Sequence, residues 1–161
     1  KNPGLVEADI NRHSEFYSFG KGDIIGEYDL SAIVSEAAEH VSKGGIFSIC
    51  FHMANPLKNS NVSFRGTIES NETAIEMFTN GTELNKEFRK TAESTFMLHK
   101  GLEANGVPFI FRPLHEMNGN WFWWGVKGAD TVKKLFRLMY DRYTNVHKLN
   151  NLIWVWNSQA P

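Results

Sequence analysis

One cysteine, Cys50, is the whole thiol content of this 161-residue chain, so no intrachain disulfide framework holds it together. It lies in the apolar run Ile46–Phe51 and reads as a small buried hydrophobe. Surplus charge is missing too: 17 basic and 18 acidic residues leave a formal net charge of -1. That balance removes the electrostatic footprint expected of a nucleic-acid or anionic-membrane partner. No apolar run approaches the roughly 18 residues of a membrane-spanning helix. The phosphate-cradling signatures GxGxxG and GxxxxGK[ST] follow none of the strands, which leaves nucleotide binding without support. Neither GxSxG nor a loop cysteine with a partnering histidine is present, so nucleophilic triads find none either. No signal-peptide pattern opens the chain, where Pro3 and Gly4 lead directly into a strand-like segment.

What is present is a regular alternation of two periodicities. Leu5–Ile10, Ile46–Phe51, Val107–Leu114 and Asn151–Trp156 are short apolar runs with strand character. Between them lie stretches of helical spacing. Ile33, Val34, Ala37, Ala38 and Val41 mark a helix from about Asp29 or Ser31 to Lys43, ended by Gly44 and Gly45. Thr82 caps a long helix to about Ala104, closed by Asn105 and Gly106. Asp130 or Thr131 caps a third, carrying Val132, Leu135, Phe136, Met139 and Tyr143 on one side. The intervening 12–28 and 53–81 stretches read as loops, with short helical turns expected around Glu72–Phe78. The second holds three Asn-x-Ser/Thr sequons, at Asn61, Asn71 and Asn80, and is expected to be exposed.

This β-α-β-α-β-α-β order, with strands apolar throughout, argues for a parallel α/β sheet, either a (β/α)8 barrel or an open doubly wound sheet. In both, function gathers at the C-terminal ends of the strands. Here those ends carry Asp9 and Asn11, His52 and Asn55, His115 and Glu116, and Asn157 and Ser158, whereas the opposite ends carry turn residues. A barrel needs about 250 residues. Four strands and three helices are about half of one, and the chain is expected to be a portion of a larger protein.

The most informative of these ends is Val107–Gly125, VPFIFRPLHEMNGNWFWWG. Glu116 stands where the strand gives way to a Gly- and Trp-rich loop, with Trp121, Phe122, Trp123 and Trp124 in succession. A solvated carboxylate, or one paired with Arg112, is the plain alternative. Glycoside hydrolysis, however, needs a carboxylic acid to protonate the leaving oxygen and a second carboxylate opposite it, and tryptophan rings stack on sugar faces. All but the second carboxylate is here. Four consecutive aromatics cannot all face inward from a loop, so one or two are expected to be exposed. Arg112, in the middle of an apolar strand and on the side of Glu116, must be paired. A zinc protease reading fails because HExxH would need histidine where Gly119 stands. The sequence shows no His/Cys cluster with ligand spacing, so no metal or other cofactor is expected.

RPLHEMNGNWFWWG at Arg112–Gly125 resembles the acid/base motif of glycoside hydrolase family 26, most of whose members are endo-β-1,4-mannanases. GGIFSICFHMANP at Gly44–Pro56 is similar to that family's third-strand segment and NLIWVWNS at Asn151–Ser158 to its fifth, with GLVEADI as strand two. The resemblance implies the (β/α)8 TIM barrel, about half of it in this chain, with residues 1–161 as part of the catalytic domain. It implies retaining hydrolysis of β-1,4-mannosidic bonds, with Glu116 as general acid/base. His115, His52, Trp121, Arg112, Asn118, Trp124 and Trp156 are the expected substrate-binding residues. The family's nucleophile, a glutamate ending strand seven, matches no carboxylate here. The implied partners are a β-mannan polysaccharide or oligosaccharide and the remainder of the barrel, in a secreted or periplasmic enzyme. Action on mixed-linkage β-glucan or β-1,3-xylan, or a non-catalytic carbohydrate-binding role, are the alternatives.

Overall fold

The structure is a computed structural model, and it describes residues 3–11, 24–25, 28–53, 55–56, 76–92, 95–126 and 128–159. Of residues 9–11, 24–25, 28–30 and 91 it describes the backbone alone. The 12–20 and 57–75 stretches, including Asn61 and Asn71, lie outside the described residues.

Four strands form one parallel sheet: β1 (Leu5–Asn11), β4 (Ile46–His52), β5 (Phe109–Pro113) and β6 (Leu152–Trp154), in that spatial order. Two-residue strands β2 (Ile24–Ile25) and β3 (Tyr28–Asp29) pair antiparallel beside it. The helices are α1 (Leu30–Ser42), α2 (Glu83–Ala92), α3 (Phe96–Ala104) and α4 (Ala129–Asp141), the last running into a π-helical turn at Arg142–Val146. Neighbours within the parallel sheet follow one another along the chain without reversal. A doubly wound sheet reverses at a switch point, whereas a barrel does not. The fold is accordingly part of a (β/α)8 barrel. Among the described residues no helix is long and apolar enough to cross a membrane.

Strand alternation sorts the side chains onto two faces. Phe47, Ile49 and Phe51 of β4 and Phe109 and Phe111 of β5 face the helices. They form the core with Val34 and Ala37 of α1, Leu98 and Leu102 of α3, and Leu135 and Met139 of α4. Helices α1 and α3 approach closely because Gly101 has no side chain: a Cβ there would stand 2.9 Å from Val34 Cγ2. The inner face holds Leu5 and Ile46, paired in register, and Ile153 beside Ile110. Leu5, Ile46 and Ile153 are all more than half exposed, at the positions whose side chains fill the interior of a closed barrel.

The long helix expected from Thr82 to Ala104 is two helices. Tyr143 explains the break. Its hydroxyl donates to the Ala92 carbonyl at 2.6 Å, the last residue of α2, and lies 2.8 Å from Thr95 Oγ1, just before α3. All of these groups are buried, so the carbonyl left open by the helix end finds its partner in a side chain from beyond α4. Tyr143→Phe should cost about 1–3 kcal/mol, because it strands a buried carbonyl and a buried hydroxyl together. A urea unfolding midpoint unchanged by this substitution would contradict that account. The third helix also starts earlier than expected, at Ala129 after Gly128, whose φ of 79° places it in the left-handed region.

His99 of α3 sits within the core. Its ring lies 4.6 Å from Phe111, 5.0 Å from Phe109 and 5.2 Å from Tyr143, and neither ring nitrogen has a hydrogen-bond partner. Burial alone pulls its pKa from 6.5 down to about 3, so it is held neutral.

Candidate active site

The inner face becomes polar toward the C-terminal strand ends. Glu7 of β1 accepts from Ser48 Oγ of β4 at 2.8 Å and from Arg112 Nη1 of β5. Arg112 Nη2 donates to Asn157 Oδ1, just past β6, at 2.8 Å. A buried guanidinium is tolerable only when paired, and here it ties β1, β5 and the end of β6 together. Arg112, expected to be paired, has its partners in Glu7 and Asn157.

One level above, the chain turns sharply at the end of β5. Leu114 and Glu116 have φ of 53° and 51°, left-handed values unusual for residues with side chains, on either side of His115. Such conformations cost of order 1 kcal/mol each and persist only where the surroundings hold them. Here Trp124 Nε1 donates to the His115 carbonyl at 3.0 Å, and the Gly119 amide donates to the Glu116 carbonyl at 2.9 Å. Gly125 lets the loop close on itself, since a Cβ there would lie 2.3 Å from the Gly119 carbonyl oxygen. The turn sends His115 inward, buried, and leaves Glu116 half-exposed.

Trp121 then covers Glu116. Its Nε1 donates to Glu116 Oε2 at 2.9 Å, and its indole lies against Gly119, where a Cβ would stand 2.3 Å from the ring. Trp121 is 37% exposed, whereas Phe122, Trp123 and Trp124 are buried. The run of aromatics therefore splits into one exposed ring and a three-ring foundation. Phe122 stacks on Trp124 at 4.4 Å, and Trp123 donates to the Met53 carbonyl at 2.9 Å.

His52, ending β4, meets His115 across the strand boundary. Their rings are T-shaped at 4.4 Å, with Nε2 to Nε2 at 3.2 Å, and both rings rest on the edge of Phe122. Two facing Nε2 atoms at that distance require one to donate and the other to accept. Cys50, two residues before His52, shares its inward face. The nearest ligand atoms of Cys50, His52 and His115 all lie within 4.8 Å of one another. The sequence shows no such cluster by ligand spacing. Linear spacing hides it, because His115 is 63 residues from His52 and only parallel register places Cys50 opposite Arg112.

Other expected sugar contacts are placed differently. Trp124 has no exposed surface and serves the turn. Asn118 exchanges two hydrogen bonds with the Gln159 backbone, at 3.0 and 2.7 Å, and so clamps the loop to the segment after β6. Trp156 is 49% exposed but packs on Phe136 of α4 at 5.1 Å, toward the helices rather than toward Glu116. The structure thus brings together Glu116, Trp121, His115 and His52, with Trp124 buried beneath His115, while Arg112, Asn118 and Trp156 make their contacts with Glu7 and Asn157, Gln159 and Phe136.

The model of glycosyl hydrolase family 26 matches residues 21–161. A mannan endo-1,4-beta-mannosidase of Thermothelomyces thermophilus is 34% identical over 176 aligned positions, covering 100% of this chain and 33% of that protein. Among solved structures, GH26A from Muricauda sp. MAR_2010_75 superposes with a TM-score of 0.78 at 36% identity, over 98% of this chain and 49% of that one. A β-mannanase from a symbiotic protist of the termite Reticulitermes speratus, complexed with gluco-manno-oligosaccharide, superposes with a TM-score of 0.76 at 32% identity. It matches over 98% of this chain and 48% of its own. The chain thus spans a third to a half of the length of these relatives.

Proposed function

The chain belongs to glycosyl hydrolase family 26, and on that premise we propose that it carries the acid/base half of a retaining β-1,4-mannanase. Residues 1–161 form part of one catalytic (β/α)8 domain in this reading. The observation that carries it is the hydrogen bond from Trp121 Nε1 to Glu116 Oε2 at a strand end.

An indole N–H donates and never accepts, so Oε2 is occupied as an acceptor and Oε1 is the oxygen left open toward substrate. Oε1 is the oxygen that would carry the proton transferred to substrate, and the carboxyl plane is set by the ring beside it. In the first step Glu116 gives this proton to the departing sugar oxygen as the bond to the anomeric carbon breaks. The nucleophile is a glutamate of a later strand, which forms the glycosyl-enzyme. Glu116, now the carboxylate, removes a proton from the water that resolves that intermediate. His115 and His52 present ring nitrogens to sugar hydroxyls, and the exposed face of Trp121 offers the sugar a stacking surface.

The substrate class is mannan or glucomannan, in keeping with the mannan endo-1,4-beta-mannosidase relative and the gluco-manno-oligosaccharide complex, with cleavage inside the chain. Product release by the whole protein from linear mannan, galactomannan and glucomannan tests this against mixed-linkage β-glucan and β-1,3-xylan. Proton NMR of the first products should show the β-anomer before mutarotation. Release from the glucan or xylan but from none of the mannans would overturn the assignment. Binding of mannan without any product would favour a carbohydrate-binding relative.

A further inference from the structure

We propose that Cys50, His52 and His115 form a site for a single Zn²⁺ ion, and that the ion blocks the sugar-binding cleft reversibly. Zinc takes thiolate and imidazole ligands in tetrahedral geometry, at about 2.3 Å for sulfur and 2.0–2.1 Å for nitrogen. A tetrahedral N–Zn–N edge built from those bonds is about 3.3 Å long. The two Nε2 atoms already stand 3.2 Å apart. The third donor, Cys50 Sγ, lies within 4.8 Å of a ring nitrogen of each histidine, whereas a tetrahedral S–Zn–N edge is about 3.5 Å. The thiol therefore needs only a small movement to complete three ligands.

The surroundings favour this donor set. Cys50 and His115 are buried and His52 is half-buried, so the ion reaches the site from the His52 side and keeps an open fourth position there. Both rings are braced by Phe122 at 5.2 Å, which holds the Nε2 atoms facing each other before any ion arrives. The proton shared between the two imidazoles occupies the space the ion would take. On binding, the Cys50 thiol gives its proton to solvent. The donating imidazole moves its proton from Nε2 to Nδ1, so one proton is released per ion. His52 and His115 then direct their lone pairs at the metal and no longer serve a sugar hydroxyl. The blocking effect rests on the mannanase reading above; the metal site itself does not.

The test uses the metal-free whole protein under reducing conditions, with Co²⁺ as a spectroscopic stand-in for Zn²⁺. One equivalent of Co²⁺ should produce sulfur-to-cobalt charge-transfer absorption and the strong visible bands of a tetrahedral site, and Zn²⁺ should bleach both. Calorimetry of Zn²⁺ in buffers of different ionisation enthalpy should report one proton released. Cys50→Ser, with Cys50→Ala as a second variant, should abolish the charge-transfer band. His52→Ala should weaken binding beyond the roughly 10–100-fold that even outer-shell partners of a metal cost. Absence of a thiolate band in the wild type, or its survival in both Cys50 variants, would overturn the site. In the activity arm, Zn²⁺ should inhibit mannan hydrolysis, a chelator should restore it, and Cys50→Ser should hydrolyse normally without Zn²⁺ sensitivity. Equal sensitivity of Cys50→Ser would overturn the blocking effect. A protein that binds Co²⁺ through Cys50 but hydrolyses no mannan would refute the mannanase reading and the blocking effect while leaving the metal site standing.

Discussion

Glu116→Gln in the whole protein is expected to lower kcat/KM on unsubstituted mannan by about 10²–10⁴-fold, the range that a positioned general acid contributes. Glutamine keeps an acceptor oxygen for Trp121 Nε1, so the 2.9 Å contact and the turn around it survive. What it removes is the transferable proton. The loss should depend on the leaving group. A dinitrophenyl glycoside departs without protonation, so formation of the glycosyl-enzyme from it should be nearly unaffected. The second step still needs a base, so the intermediate should accumulate, visible as a burst of dinitrophenol followed by slow turnover. Glu116→Ala should behave similarly on mannan, with the added loss of the Trp121 contact. An equal loss on mannan and on the activated glycoside would show that Glu116 acts by some route other than proton transfer.

The second large effect concerns stability in acid. His99 is neutral in the fold, with its pKa at about 3, but titrates near 6.5 when unfolded. Between those values the unfolded chain binds the extra proton, so stability rises with pH and falls as the solution is acidified. The contribution is complete above pH 6.5 and is lost progressively down to about pH 3. Each pH unit within that window corresponds to about 1.4 kcal/mol, or about 2 kcal/mol between pH 6.5 and pH 5. His99→Leu, which fits the ring of Phe109, Phe111 and Tyr143 with an apolar side chain, should flatten this slope. The difference between wild type and variant isolates His99, because all other titrating groups are common to both. Urea unfolding at a series of pH values measures it. Parallel slopes for the two proteins would show that His99 gains a proton or a partner within the fold.

These two residues differ in how legible they were. Glu116 was marked by its position, since a carboxylate at a strand end before an aromatic loop carries a local chemical signal. His99 sits at an ordinary helical position in α3, and nothing near it in the chain predicts a solvent-free ring. Its neighbours arrive from β5 and from beyond α4. Cys50 and the histidine pair follow the same logic. Each was visible alone, yet their convergence needs β4 and β5 in parallel register and the left-handed turn around His115.

The amino-acid sequence by itself determined the parallel α/β architecture, the four strands and the family, and marked Glu116 as the candidate carboxylate. All of these rest on periodicity and contiguous motifs, which are properties of short stretches. Only the tertiary structure decided which of four adjacent aromatic residues faces outward, where the helix from Thr82 breaks, and which polar residues serve the scaffold. Arg112 and Asn118 were expected as sugar ligands only through the family resemblance. Glu7, Asn157 and Gln159 engage them over separations of 105, 45 and 41 residues. A side chain's job depends on what is opposite it, and what is opposite is set by strand register and turn geometry rather than by its neighbours in the chain.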